Sequence, residues 1–129
     1  MDYRGVIIEE SLTDTDILNA VRITGTEVEP VTEGHKTPWL KQWTLHTVEI
    51  PENEAAGVVQ RLSKVISDSP SSWYADFKND KYHYIIYPEK IFRIDRANPD
   101  YAEARNYGVS LGIPEYQVDF APDNTVWER

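Results

Sequence analysis

Asp76, His83 and Asp95 are the residues of this chain whose types and spacing come nearest to a chemical device. They fall in WYADFKNDKYHYIIYPEKIFRID, positions 73 to 95, beside four tyrosines. With one hairpin turn at Asn79 and Asp80 and a second over Pro88, Glu89 and Lys90, the stretch becomes a meander that sets the three residues in a cross-strand row. Two carboxylates beside an imidazole favour its charged form and orient its ring, as proton transfer or polar-ligand binding requires. The plainer reading is a solvated ion-pair row that specifies strand order and contributes little energy.

A second constellation lies in VTEGHKTPWLKQW, Val31 to Trp43. Trp39, with His35, Lys36 and Lys41 nearby, combines an aromatic ring with positive charge in a loop, a composition suited to contacting a partner. Its plainer reading is a tryptophan tucked against the sheet edge. Tyr74 and Tyr87 join Trp39 and His35 as candidate binding residues, because the meander puts both tyrosines on the face of the Asp76 row.

Other chemistries find little support. His35, His46 and His83 sit on a loop and two separate strands without short ligand spacing, so no metal is expected. The absence of cysteine removes disulfides and thiolate nucleophiles. No nucleophile elbow, P-loop or dinucleotide fingerprint occurs, and no cofactor is expected.

The positioning elements follow from pattern. Tyr3 to Leu12 reads as a strand and Ala20 to Pro30 as another, with a bulge near Gly25 where the apolar parity changes. Trp43 to Ile50 is a third strand, ended by Pro51. Ala55, Val58, Val59, Leu62, Val65 and Ile66 recur at helical steps. A second helix opens at Asn98 and Pro99, carries Tyr101, Ala104, Tyr107 or Gly108, and Leu111 on one stripe, and ends at Gly112. In the meander, Trp73, Ala75, Phe77, Tyr82, Tyr84, Ile86, Phe92 and Ile94 form the apolar face. The Asp76 row and Tyr74, Lys78, Lys81, Ile85, Tyr87, Ile91 and Arg93 form a face open to water.

The expected fold is therefore α+β: a two-layer, mainly antiparallel sheet in βββαβββα order, packed against two helices. Residues 1 to 120 form one domain, and 121 to 129 a tail with few packing residues. The formal charge of -9 opposes phosphate backbones and favours cationic partners, so nucleic acid is disfavoured. No run approaches the roughly 20 apolar residues of a membrane span, and the amino terminus does not read as a signal peptide, which makes a cytoplasmic location the expectation.

Three blocks, YRGVIIEESL, WYADF with YHYIIYPEKIFRID, and YGVSLGIPEYQVDF, together resemble a family of small prokaryotic proteins with no assigned function. The resemblance spans nearly the whole chain and implies no activity or site residue. The reading that emerges is a non-catalytic protein-interaction domain, using the polar sheet face and the Trp39 loop, with a homodimer through a sheet edge as a variant. The alternative is a small enzyme or small-molecule-binding protein that uses His83, Asp76 and Asp95.

Overall fold

A computed structural model describes residues 2–33, 37, 39–68, 72–113 and 118. The expected boundary at residue 120 and the tail after it lie outside the described residues. Six strands form one sheet: β1 (Tyr3–Ile8), β2 (Arg22–Pro30), β3 (Gln42–Ile50), β4 (Ala75–Lys78), β5 (Tyr82–Tyr87) and β6 (Lys90–Asp95). Their spatial order is β2-β3-β1-β4-β5-β6, and every neighbouring pair is antiparallel. With helices α1 (Ala55–Val65) and α2 (Ala102–Ser110) after the third and sixth strands, the chain has the expected α+β element order. The halves connect differently. In the first, β1 pairs with β3, while the second is a plain meander.

Each helix makes a two-layer contact with the sheet, and the two contacts lie on opposite faces. On the first face, Tyr3, Ile7, Val48, Ile50, Phe77 and Ile86 pack under Ala55, Val58, Val59 and Leu62 of α1. Ile17, from a 3-10 turn over Thr15–Ala20, closes the same core. On the second face, Tyr74, Ile85, Tyr87 and Ile94 pack against Ala104, Ile113 and Val118. The apolar stripe read for the second helix is the one that packs, although α2 begins at Ala102, three residues after Pro99.

Two glycines permit close approaches. A Cβ on Gly5 would stand 2.0 Å from the carbonyl oxygen of Asp76, so β1 and β4 meet at this distance only without one. A Cβ on Gly108 would stand 2.6 Å from the Tyr87 hydroxyl, which instead donates to the Ala104 carbonyl at 2.6 Å.

The expected bulge is present, as the β2 to β3 register shifts between Ile23 and Gly25. The first strand is shorter than expected. After Ile8 the chain turns through a 3-10 segment at Glu9–Ser11, and Leu12 bridges to Ile66.

The meander departs from expectation in one decisive respect. Asp80 and Lys81, rather than Asn79 and Asp80, make the first turn, because the Asn79 side chain accepts the N-H groups of Lys81 and Tyr82 and its own N-H donates to the Tyr82 carbonyl. That moves the register by two residues and keeps the faces. The second turn has two residues instead of three: Tyr87 pairs with Lys90, and Glu89 adopts φ 60°. The one-residue difference flips β6. Phe92 and Ile94 therefore join the second core, and Asp95 and Arg93 move to the face of Tyr82 and Tyr84.

Candidate functional site

His83 and Asp76 meet, but inside the protein. His83 is 2% exposed and Asp76 5%, beneath α2 rather than on an open face. This corrects the expectation of a solvated row, and the cause is that α2 covers the second face, where an open sheet had been expected. Nε2 of His83 lies 2.7 Å from Oδ2 of Asp76, and Nδ1 lies 2.9 Å from the Tyr101 hydroxyl. The proton placement that satisfies all three groups has Nε2-H donating to the carboxylate and Nδ1 accepting from the tyrosine. The Tyr101 ring also stands edge-on to the imidazole, with centroids 5.4 Å apart. Tyr101 precedes the first residue of α2, so this chain of bonds runs from helix to β5 to β4.

Asp95 is not part of it. It pairs with Tyr82 on the opposite face, is exposed, and its Oδ1 accepts the N-H of Ala97 at 2.9 Å. There it borders a pocket of about 270 Å³ lined by Asp80, Lys81, Tyr82, Arg96 and Ala97. Arg93 stacks over the Tyr82 ring at 4.6 Å on the same face. The Arg96 guanidinium donates to the Asn79 carbonyl, which ties the chain leaving β6 to the turn between β4 and β5.

The candidate binding residues separate in the same way. Tyr74 and Tyr87, expected on an open face, are buried in the second core with ring centroids 5.9 Å apart. Burial, followed by the nearby Tyr74, Asp76 and Tyr107, pushes the Tyr87 hydroxyl well above its ordinary pKa. Both rings are thus structural, and neither can reach a partner while α2 is docked. Trp39 is 44% exposed, whereas Trp43 is buried against Trp73 with its indole N-H donating to Thr37 Oγ1 at 2.8 Å. His35 lies outside the described residues.

A second imidazole had no functional reading from sequence beyond the metal question. His46 Nδ1 lies 2.9 Å from Thr26 Oγ1 and Nε2 lies 3.1 Å from Glu9 Oε1. Glu10, beside Glu9, accepts from the Thr44 N-H at 2.5 Å and the Thr44 hydroxyl at 2.8 Å, satisfying β3 beyond the point where β1 ends. His46 and His83 face opposite sides of the sheet, so they share no ligand. Among the described residues no three His, Asp or Glu side chains gather as a metal site would need, and no helix is long and apolar enough to cross a membrane.

Among the described residues, β2 is the strand most open to solvent. It is a nine-residue edge strand, exposed along nearly all its length, with Ile23 at 42% and Val28 at 55% exposure. Sequence reading placed the strand and its bulge but not its edge position, since strand order depends on contacts distant in sequence. No family model, no curated protein and no solved structure matches this chain.

Proposed function

We propose that this protein is a non-catalytic interaction domain whose contact surface is the exposed β2 edge, together with Trp39 in the loop that follows it. The observation that carries the reading is the concentration of exposed large apolar groups there: Ile23, Val28 and Trp39 all belong to β2 or the β2 to β3 connection. Aromatic and aliphatic side chains left in water along a strand that forms the sheet edge among the described residues are the raw material of a protein contact. Reduced retention of a partner by Trp39→Ala and Val28→Pro, both with unchanged melting, supports the reading in affinity capture from host lysate. A wild-type chain that retains nothing the variants lose, and that sediments as a monomer, overturns it.

The alternative of a small enzyme or ligand-binding protein draws on one observation, the 2.7 and 2.9 Å bonds joining Asp76, His83 and Tyr101. Against it stands their burial, since a catalytic group must reach a substrate at a concave site. The Asp76 to His83 pair is better suited to holding α2 on the sheet.

A further inference from the structure

We infer that Thr26 carries an activated hydroxyl, a site at which the chain takes a single acyl group from a neutral activated ester. The inference goes beyond the partner reading and does not depend on it.

Three elements bring the site together. Thr26 in β2 and His46 in β3 are direct cross-strand partners. Glu9 follows the last residue of β1, where the chain leaves the sheet in its 3-10 turn, and its side chain reaches back to the imidazole. His46 Nε2 lies 3.1 Å from Glu9 Oε1, and Nδ1 lies 2.9 Å from Thr26 Oγ1. A carboxylate only accepts, so Nε2 carries a hydrogen and donates to it. Nδ1 of the neutral ring is then the acceptor, and the Thr26 hydroxyl must donate. The hydroxyl proton therefore points at a base whose far side is held by a carboxylate, the order of groups that activates a hydroxyl nucleophile.

The same order runs from Tyr101 through His83 to Asp76, and access separates the two. His83 and Asp76 lie beneath α2, whereas Thr26 is exposed with His46 behind it at 8% exposure. A shielded base beside an open hydroxyl suits attack on a molecule arriving from water. Thr24 supplies the contrast. It is exposed on the same strand, but its hydroxyl donates to the Thr47 carbonyl at 3.3 Å, an acceptor too weakly basic to take the proton.

Surrounding charge selects the electrophile. Glu9 and the neighbouring Glu10 sit at this end of the sheet and the chain carries -9, which opposes an anionic phosphoryl donor. A neutral ester meets no such barrier. Val28, two residues along on the same face and 55% exposed, offers its acyl group an apolar neighbour. In the step, Thr26 Oγ1 bonds to the acyl carbon while its proton passes to His46 Nδ1. The bond from the acyl carbon to the leaving oxygen then breaks, and the proton departs with the released alcohol. Glu9 touches no reacting atom. It is a positioning residue that fixes the tautomer and steadies the imidazolium.

The test incubates the full chain with p-nitrophenyl acetate, read by release of p-nitrophenol and by mass-spectrometric peptide mapping. Acetylation at Thr26 is expected to run roughly 100-fold faster than at Thr24, the lower end of what a positioned base contributes. His46→Gln should slow Thr26 to the Thr24 rate, and Thr26→Ser should keep the fast reaction. Glu9→Gln should slow Thr26 alone, whereas a merely structural Glu9 would leave the ratio of Thr26 to Thr24 labelling unchanged. The comparison of the two threonines within the wild-type chain decides the matter even where a variant fails to fold. Equal labelling of Thr26 and Thr24 overturns the inference, and so does fast Thr26 labelling that survives His46→Gln. A burst that persists in Thr26→Val, with the acetyl group on His46, overturns it as well, because the imidazole is then the nucleophile.

Discussion

His83 and Asp76 are diagonal neighbours across the β4 to β5 ladder: His83 stands opposite Lys78, two residues beyond Asp76, yet its Nε2 reaches Oδ2 at 2.7 Å. Diagonal positions on adjacent strands are within reach of long side chains, and burial gives the contact its weight. With Tyr101 on the other ring nitrogen, the pair links α2 to the middle of the second core.

The first prediction is that this linkage is structural and measurable. Tyr101→Phe removes the hydroxyl bonded to Nδ1 and should lower unfolding stability by about 1 to 3 kcal/mol, the cost of an unmet buried polar group. His83→Ala leaves the Asp76 carboxylate buried without its imidazole and should cost about 3 kcal/mol or more. Urea unfolding followed by tryptophan fluorescence measures both. Native-state hydrogen exchange should show α2 amides opening first in Tyr101→Phe, because this bond is at the helix start. An unchanged midpoint for His83→Ala would return the pair to the solvated, low-energy class.

A second prediction concerns alkaline pH. Tyr87 and Tyr3 both have pKa values raised above the ordinary 10.0, chiefly by burial. In the unfolded chain they ionise near pH 10, while in the fold they hold their protons to higher pH. Their contribution is intact below about pH 10 and is lost as pH rises beyond it, for Tyr87 at up to about 1.4 kcal/mol per pH unit. Tyr87→Phe should flatten this alkaline loss. At neutral pH it should cost about 1 kcal/mol, for the hydrogen bond to Ala104. Stability against pH from 7 to 12, for wild type and variant, reads both effects.

Glycine positions give a third prediction with opposite signs. At Gly5 a Cβ would stand 2.0 Å from backbone and 2.6 Å from the Phe77 ring, so Gly5→Ala must push β1 from β4 and should cost about 3 kcal/mol. Nothing lies within 4 Å of the corresponding point at Gly57 in α1. Gly57→Ala should therefore stabilise by about 0.5 to 1 kcal/mol through helix propensity. Thermal unfolding of the two variants separates steric contact from backbone entropy.

What was legible in the sequence was what local chemistry dictates. The stripe from Ala55 to Leu62, the change of parity at Gly25 and the stop at Gly112, which adopts φ 90°, all follow from neighbours a few residues apart. The faces of β4 and β5 were legible as well, because moving a two-residue turn by one position shifts register by two and preserves parity. The face of β6 was not, because it depends on whether the turn after Tyr87 has two residues or three. That choice rests on a glutamate at positive φ, which side-chain sterics oppose. The buried second face was hidden too, because Tyr74, Tyr87, Asp76 and His83 have polar atoms and read as a wet surface until α2 covers them. One clue existed. Two helices with apolar stripes and one sheet invite packing on both faces, and Ile85 beside Tyr87 in the strand marks the second face as apolar.

That turn carries the last prediction. Pro88 and Glu89 form the two-residue connection, and a residue with φ near 60° at the second position is normally glycine or asparagine. Holding a side chain there costs about 1 to 2 kcal/mol. Two contacts with the end of α1 offset it: the Glu89 N-H donates to the Ser63 carbonyl at 2.9 Å, and Lys64 Nζ lies 3.0 Å from Glu89 Oε2. The backbone bond is available to glycine and glutamine alike, and the ion pair is largely exposed, so it contributes at most about 1 kcal/mol. Glu89→Gly should therefore gain roughly 1 kcal/mol, since relief of the backbone outweighs loss of the pair. Glu89→Gln keeps the strained backbone and weakens the pair, and should be neutral or slightly destabilising. Chemical denaturation of both variants in low and high salt decides the balance. A Glu89→Gly variant less stable than Glu89→Gln would mean that the lysine contact, and not the backbone, governs this turn and with it the register that buries Phe92 and Ile94.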